Sequence, residues 1–184
     1  MESPRNRALD AAIDLVGTQG LRALTHGRVD AAAELPRGST SNYFRTRAQL
    51  LAGVLGRIAE REMGGISGAF AAGTPAELID SLGTLIETTT GPLRVLTTAR
   101  LAVFLEASRD PQLQEVASGG RQAMRAVIAD AFERLGAAEP GRLSDAVVAC
   151  CEGLILHRIT RGDTTDPRAV FAAILAGKFP GSDS

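Results

Sequence analysis

The sequence predicts an all-α protein, with a small three-helix unit at the amino-terminal end and a larger helical bundle after it. Three observations carry that prediction. Apolar residues recur at spacings of three and four, as in Leu9, Ala12, Ile13 and Val16 and again in Leu78, Leu82, Leu85 and Ile86, which is the period of one buried face on an α-helix. Helix-start signatures stand at Ser3-Pro4, Thr74-Pro75, Asp110-Pro111 and Asp166-Pro167, where the first side chain can cap unpaired amides and Pro loses nothing by lacking its own. No strand-type alternation, internal repeat or low-complexity tract interrupts the pattern.

Taken in order, Ser3-Pro4 opens a first helix striped by Leu9, Ala12, Ile13 and Val16, which Gly17 to Gly20 is expected to end. Leu21 and Leu24 continue into a small core. Thr25 is the expected N-cap of a second helix, in which Val29, Ala32 and Ala33 recur until Leu35 and Pro36 close it. The run Arg37-Gly38-Ser39-Thr40-Ser41-Asn42-Tyr43 that follows is short, polar and anchored by Leu35 on one side and Phe44 on the other. Such a segment cannot be buried. It offers small donors and acceptors and one Arg, the inventory with which a helix enters a major groove and touches base edges, so it is a candidate recognition helix.

Thr46-Arg47-Ala48-Gln49 reads as a capping box, with Gln49 returning a hydrogen bond to the Thr46 amide. Leu50, Leu51, Val54, Leu55 and Ile58 then give the fourth helix a broad apolar face. Gly64-Gly65-Ile66-Ser67-Gly68 and Gly73 predict a hinge-like loop before a second capping box, Thr74-Pro75-Ala76-Glu77. The fifth helix ends between Thr88 and Pro92, and the sixth runs from about Leu93 to Arg109 with Leu96, Leu101, Phe104 and Leu105. After Asp110-Pro111 a long helix carries Leu113, Val116, Met124, Val127, Ile128, Ala131, Phe132 and Leu135, and its Gly119-Gly120 pair either bends it or breaks it in two. From Leu143 to Arg161 the chain is apolar almost all round, through Val147, Val148, Leu154, Ile155, Leu156 and Ile159. One face cannot hold them all, so a second subunit is expected on the other. Asp166-Pro167 caps a last helix with Val170, Phe171, Ile174 and Leu175; two such helices from each of two chains would make a four-helix homodimer interface. Gly181 to Ser184 reads as a disordered tail.

Composition narrows the classes further. The 184 residues are 45% hydrophobic and 22% charged, which suits a compact folded chain rather than a disordered or fibrous one. No apolar run approaches the ~18 to 20 residues needed to cross a bilayer, and MESPRNRALD lacks the apolar core of a signal peptide. A cytoplasmic protein with no membrane partner is expected. Cys150 and Cys151 are the only cysteines; adjacent within an apolar helical run, they suit reduced, buried thiols rather than a disulfide or a metal site. The net charge of −1 argues against a surface coated in phosphate-binding groups. Its distribution is uneven, because residues 1 to 50 hold seven Arg against five Asp and Glu while the remainder is net acidic. The positive end is the end with the candidate recognition helix.

Leu24-Thr25, Val29-Asp30-Ala31-Ala32, Leu35-Pro36-Arg37-Gly38-Ser39, Tyr43-Phe44, Thr46-Arg47 and Leu50-Leu51 together resemble the helix-turn-helix of the TetR family of transcriptional regulators. The resemblance covers roughly the first 55 residues and holds spacing and residue type across three helices; beyond them only the pattern matches. Three departures stand out. Glu34 occupies the place where the family's turn usually has Gly, Thr40 that of a buried aliphatic, and Ser41 that of a Tyr, which leaves the base-reading pattern open.

The resemblance implies that Arg37, Gly38, Ser39, Ser41 and Asn42 lie against DNA. Arg37 is the residue able to grip a guanine with two hydrogen bonds, and Gly38 allows close backbone approach. Thr25, Tyr43 and Arg47 are expected at phosphate oxygens, fixing register rather than reading sequence, and His26 beside Thr25 is a candidate for the same role. In the bundle, Leu82, Ile86, Arg100, Phe104, Met124 and His157 are expected to line a largely apolar effector cavity. Against this stand simpler readings: Arg100 snorkelling to a surface carboxylate, His157 hydrogen-bonded at an interface, and Glu152 paired across subunits with an Arg.

Catalysis finds little support. There is no Gly-x-Ser-x-Gly elbow, no phosphate-cradling glycine loop with Lys and no His-x-x-x-His pair. Glu152 and His157 are five apart, off the common face a di-metal bundle needs. No enzyme activity, metal or cofactor is expected. The reading is a one-component transcriptional regulator, a repressor by the resemblance, with residues 1–46 as a helix-turn-helix DNA-binding domain and 47–184 as an effector-binding and dimerisation domain. Its expected partners are double-stranded operator DNA of palindromic sequence, a small-molecule effector and a second copy of itself. A helical enzyme carrying a helix-turn-helix, or an architectural DNA-binding dimer without effector, are the alternatives.

Overall fold

The computed structural model describes residues 2–179, and among them every regular element is helical. Helix α1 is Pro4–Gln19, followed by one 3-10 turn at Leu21–Ala23, then α2 (His26–Ala32), α3 (Ser39–Tyr43) and α4 (Arg47–Ala69). The rest comprises α5 (Pro75–Thr90), α6 (Arg94–Ala107), α7 (Pro111–Arg134), α8 (Pro140–Arg161) and α9 (Pro167–Leu175). The expected disorder of Gly181 to Ser184 lies outside the described residues.

The cap residues do what their chemistry dictates. Ser3, Thr25 and Thr74 each accept a hydrogen bond from the amide three residues on, at 3.2, 3.4 and 3.2 Å, and Asp166 accepts from Arg168 N at 3.0 Å. The box at the start of α4 closes reciprocally: Gln49 N donates to Thr46 Oγ1 at 3.1 Å, and Gln49 Oε1 accepts from the amides of Arg45 and Thr46. Glu77 returns its bond to Gly73 N, one residue before the Thr74 amide.

Glycine is where the structure departs from the expected boundaries. Helix α1 runs through Gly17 to Gln19, and Gly20 ends it at φ 80°. The expected loop at Gly64 to Gly68 is helix, since α4 continues to Ala69; of the two outcomes expected at Gly119-Gly120, a bend or a break, α7 excludes the break. Glycine weakens a helix by about 1 kcal/mol relative to Ala but keeps its N–H, so unlike Pro it interrupts a helix only where, as at Gly20, φ turns positive. The last long helix begins earlier than its apolar run, at Pro140.

The chain forms two compact units, Met1–Glu62 with Leu93–Gly120 and Met63–Pro92 with Arg121–Ser184. In the first, α1 packs on α2 and along α6, around a core that includes Leu9, Ile13, Val16, Leu24, Val29, Phe44, Leu50, Val54, Ile58 and Val103. Each such side chain contributes about 1.5–3 kcal/mol when fully buried. Arg57 of α4 bonds Asp10 of α1 through two nitrogens, at 3.0 and 2.8 Å. In the second unit α5 packs on α8 and α9, and Leu78, Leu82, Ile86, Phe132, Val147 and Phe171 are completely enclosed. Phe171 had been expected at the subunit interface; it belongs to its own protomer's core. Cys150 and Cys151 form no disulfide and are half-buried rather than buried, and partial burial raises the Cys150 thiol above its ordinary value. No described helix is long and apolar enough to cross a membrane.

Candidate nucleic-acid interface

Helix α3 is five residues long and starts later than expected. Arg37 and Gly38 precede it: Gly38 is its N-cap, in the left-handed region at φ 91°, and has no side chain with which to cap. Asp30 of α2 supplies what Gly38 lacks. Its carboxylate accepts from Gly38 N at 2.7 Å, from Thr40 N at 2.7 Å and from the Thr40 hydroxyl at 2.5 Å. Both residues are buried. Burial pushes the Asp30 carboxyl up, but the bonds from Thr40 and Gly38, with His26 nearby, more than offset this and hold it below the usual carboxylate range.

The turn before α3 is held from a second side. Glu34 sits at φ 52°, the left-handed conformation that glycine adopts without strain. Arg7 of α1 donates from Nη2 to Ala33 O at 2.6 Å and to Glu34 O at 3.3 Å, capping the carbonyls at the end of α2.

Around this frame Thr25, Arg37, Ser41, Asn42, Tyr43 and Arg47 are exposed, and His26, Gly38 and Ser39 are half-buried. Several are already engaged within the protein. Arg47 donates to Leu24 O at 2.5 Å and to Leu21 O at 2.9 Å, and the Ser39 hydroxyl donates to Pro36 O at 2.6 Å. His26 Nε2 lies 2.6 Å from Phe44 O; a carbonyl only accepts, so that nitrogen carries the proton. Arg37, Ser41, Asn42 and Tyr43 leave their polar groups toward solvent. A groove of about 500 Å³ beside them is lined by Asn42, Tyr43, Arg45 and Arg5 among others, and the Arg5 guanidinium lies 5.3 Å from the centre of the Phe44 ring. Sequence reasoning passed over Asp30, Arg45 and Arg5. A lone acidic residue on a helix whose other inward positions are apolar was the available signal for Asp30.

The six residues expected around an effector fall in both units. Leu82 and Ile86 of α5 are completely buried in the second unit, where Met124 of α7 and His157 of α8 are half-buried. Arg100 and Phe104 of α6 belong to the first unit. There Arg100 is buried rather than snorkelling, with Nε 3.0 Å from Glu62 Oε1 and its guanidinium 5.7 Å from the Phe104 ring centre. That Nε has no aligned hydrogen-bond acceptor. Burial raises the Glu62 carboxyl above its ordinary value, and Arg100 only partly opposes this. A separate depression of about 440 Å³ in the second unit is lined by Leu143, Ala146, Ile174 and Lys178 among others, with none of the six. Among the described residues no group of three His, Cys, Asp or Glu is arranged to hold a metal ion.

The family described as Tetracyclin repressor-like, C-terminal domain, matches residues 73–181 of the chain. No protein of curated function matches it in sequence. Among solved structures, the multidrug binding protein EbrR complexed with ethidium is 27% identical, with a TM-score of 0.76 over 94% of this chain and 98% of that one. A member of the TetR family from Streptomyces coelicolor A3 is 25% identical, with a TM-score of 0.75 over the same shares of the two chains. A transcriptional regulator from Rhodococcus sp. Rha1, 19% identical, has a TM-score of 0.80 over 94% of this chain and 92% of that one, and shows the fold alone.

Proposed function

Because the chain belongs to the TetR family of transcriptional regulators, we propose that it is a one-component repressor that binds a palindromic operator as a homodimer and is released by a small-molecule effector. The observation that carries the proposal is a short, exposed polar helix, α3, pinned by a buried carboxylate to the helix before it. Arg37, Gly38, Ser39, Ser41 and Asn42 read bases or approach them, while Thr25, Tyr43 and Arg47 hold phosphates. Residues 1–46 act as the DNA-binding domain and 47–184 as the effector-binding and dimerisation domain, in a cytoplasmic protein that catalyses no reaction.

The effector is a largely apolar small molecule taken up by the carboxy-terminal helices. Support comes from their excess of apolar faces and from the likeness to EbrR, which was crystallised with ethidium. Leu82, Ile86 and Met124 of the second unit supply apolar surface to it, and His157 orients it. Helix α4 carries the response, because it leads from the recognition helix into the remainder of the chain: effector binding displaces it and changes the spacing of the two reading heads. Effector and operator must then weaken one another by the same factor. The test is a thermal-shift screen of small aromatic molecules, followed by titration of an operator selected from random duplexes with each hit present. Hits that stabilise the protein and weaken operator binding are the expected result. Hits that stabilise it and leave operator affinity unchanged would remove the effector half of the proposal.

A further inference from the structure

We propose that His26 and Asp30 form a clamp on α2 that sets the orientation of the recognition helix, so that base selectivity depends on two residues that need not touch DNA. This rests on the DNA-binding reading of α3. A five-residue helix has almost no stability of its own, since nucleation is unfavourable and few hydrogen bonds follow it. Its orientation must be imposed from outside. At one end Gly38 provides no cap, and the Asp30 carboxylate takes the amides of Gly38 and Thr40 and the Thr40 hydroxyl. At the other end the Phe44 carbonyl accepts from His26 Nε2, while Phe44 N donates to Thr40 O at 2.8 Å. His26 and Asp30 are four residues apart on α2, hence on one face of it. Both ends of α3 are therefore referred to the same rigid turn of helix. His26 acts in this arrangement as a positioning residue rather than a phosphate ligand.

Asp30 is 3% exposed and Thr40 is not exposed at all, so water cannot replace these bonds without opening the turn. An amide in place of the carboxylate keeps the shape and brings an N–H against a backbone N–H, which a buried site cannot relieve. The full-length protein carrying Asp30→Asn, His26→Ala or Thr40→Val tests the clamp by backbone hydrogen exchange and by binding to selected and scrambled duplexes. With Asp30→Asn, exchange of the amides from Gly38 to Phe44 should rise about tenfold or more, and that of α1 and α4 should stay within about twofold, as for a local opening. Affinity for the selected duplex should fall about tenfold while the scrambled duplex changes by less than about threefold. Thr40→Val removes one of the three bonds and should give the same pattern at smaller size. His26→Ala should loosen the Phe44 end first. Uniformly faster exchange across α1, α2 and α4 would make Asp30 a general stabiliser and overturn the clamp; so would an open α3 with selectivity intact. Should Asp30→Asn unfold the unit, the other two variants decide, since each must open α3 from its own end. A wild-type protein with no duplex preference would sink the DNA-binding reading, while the exchange pattern still judges the clamp.

Discussion

Arg37 and Tyr43 are both exposed at the two ends of the polar run, yet their chemistry assigns them different work. A guanidinium can meet both acceptors of a guanine edge, whereas a phenol hydroxyl suits a single phosphate oxygen. Arg37→Ala should lower discrimination between operator and scrambled duplex by about 1–3 kcal/mol. Tyr43→Phe should weaken both duplexes alike. Competition binding on the two duplexes separates the cases, and an equal loss on both for Arg37→Ala would remove it as a base reader. Glu34 supports a second prediction at this scale. Its φ of 52° and its exposed side chain mean that Glu34→Gly should stabilise the protein by up to about 1 kcal/mol, by relieving left-handed strain against the higher chain entropy of glycine. Denaturant unfolding measures it, and a loss of stability would show that the Glu34 side chain earns its place by some other contact. Glu34 and Thr40 could be flagged from the sequence as departures from the family pattern, and the structure explains Thr40 as the partner of Asp30. Asp30 carried only the signal of a lone acid among apolar positions, and its role was not legible, because its three donors converge only after the turn has formed.

At the scale of elements, hydroxyl and carboxyl caps were readable because a cap is a local bond between residues two or three apart. Gly17 was misread because its effect depends on a neighbour distant in sequence. A Cβ built on Gly17 would lie 2.2 Å from Val95 O and 2.7 Å from Val95 Cγ1, so this glycine permits the close approach of α1 and α6 rather than ending α1. Backbone cannot yield as a flexible side chain would. Gly17→Ala should therefore destabilise the first unit by about 1–3 kcal/mol, despite the better helix propensity of Ala. Thermal or urea unfolding of the variant decides it; a neutral or stabilising outcome would mean that α1 and α6 can separate freely. Phe171 shows the same limit on sequence reading: an apolar residue on a short amphipathic helix fits a protomer core and a subunit interface equally well, and its burial in the protomer assigns it to the former.

At the scale of the molecule, α8 keeps apolar side chains on more than one face. Val147 and Ile155 are buried within the protomer, while Leu156 remains 42% exposed. If the proposed homodimer forms through that outer face, Leu156→Asp should raise the dimer dissociation constant about 100-fold, equivalent to about 2.7 kcal/mol, and leave the melting of the core of each chain little changed. Sedimentation velocity at low micromolar concentration reads the result, and a variant that stays dimeric would move the interface elsewhere. The all-helical architecture and the short helices at the amino-terminal end were legible because they rest on periodicity and local chemistry. The residues expected around an effector fall in both units of the chain, which periodicity within single helices could not reveal. The central claim, that α3 reads a palindromic operator, is tested most directly by selecting bound duplexes from a random pool with the full-length protein. The account predicts enrichment of one inverted repeat, its half-sites about one helical turn apart or a multiple of it. Bound duplexes that share no sequence, or no DNA retained at moderate salt, would contradict it.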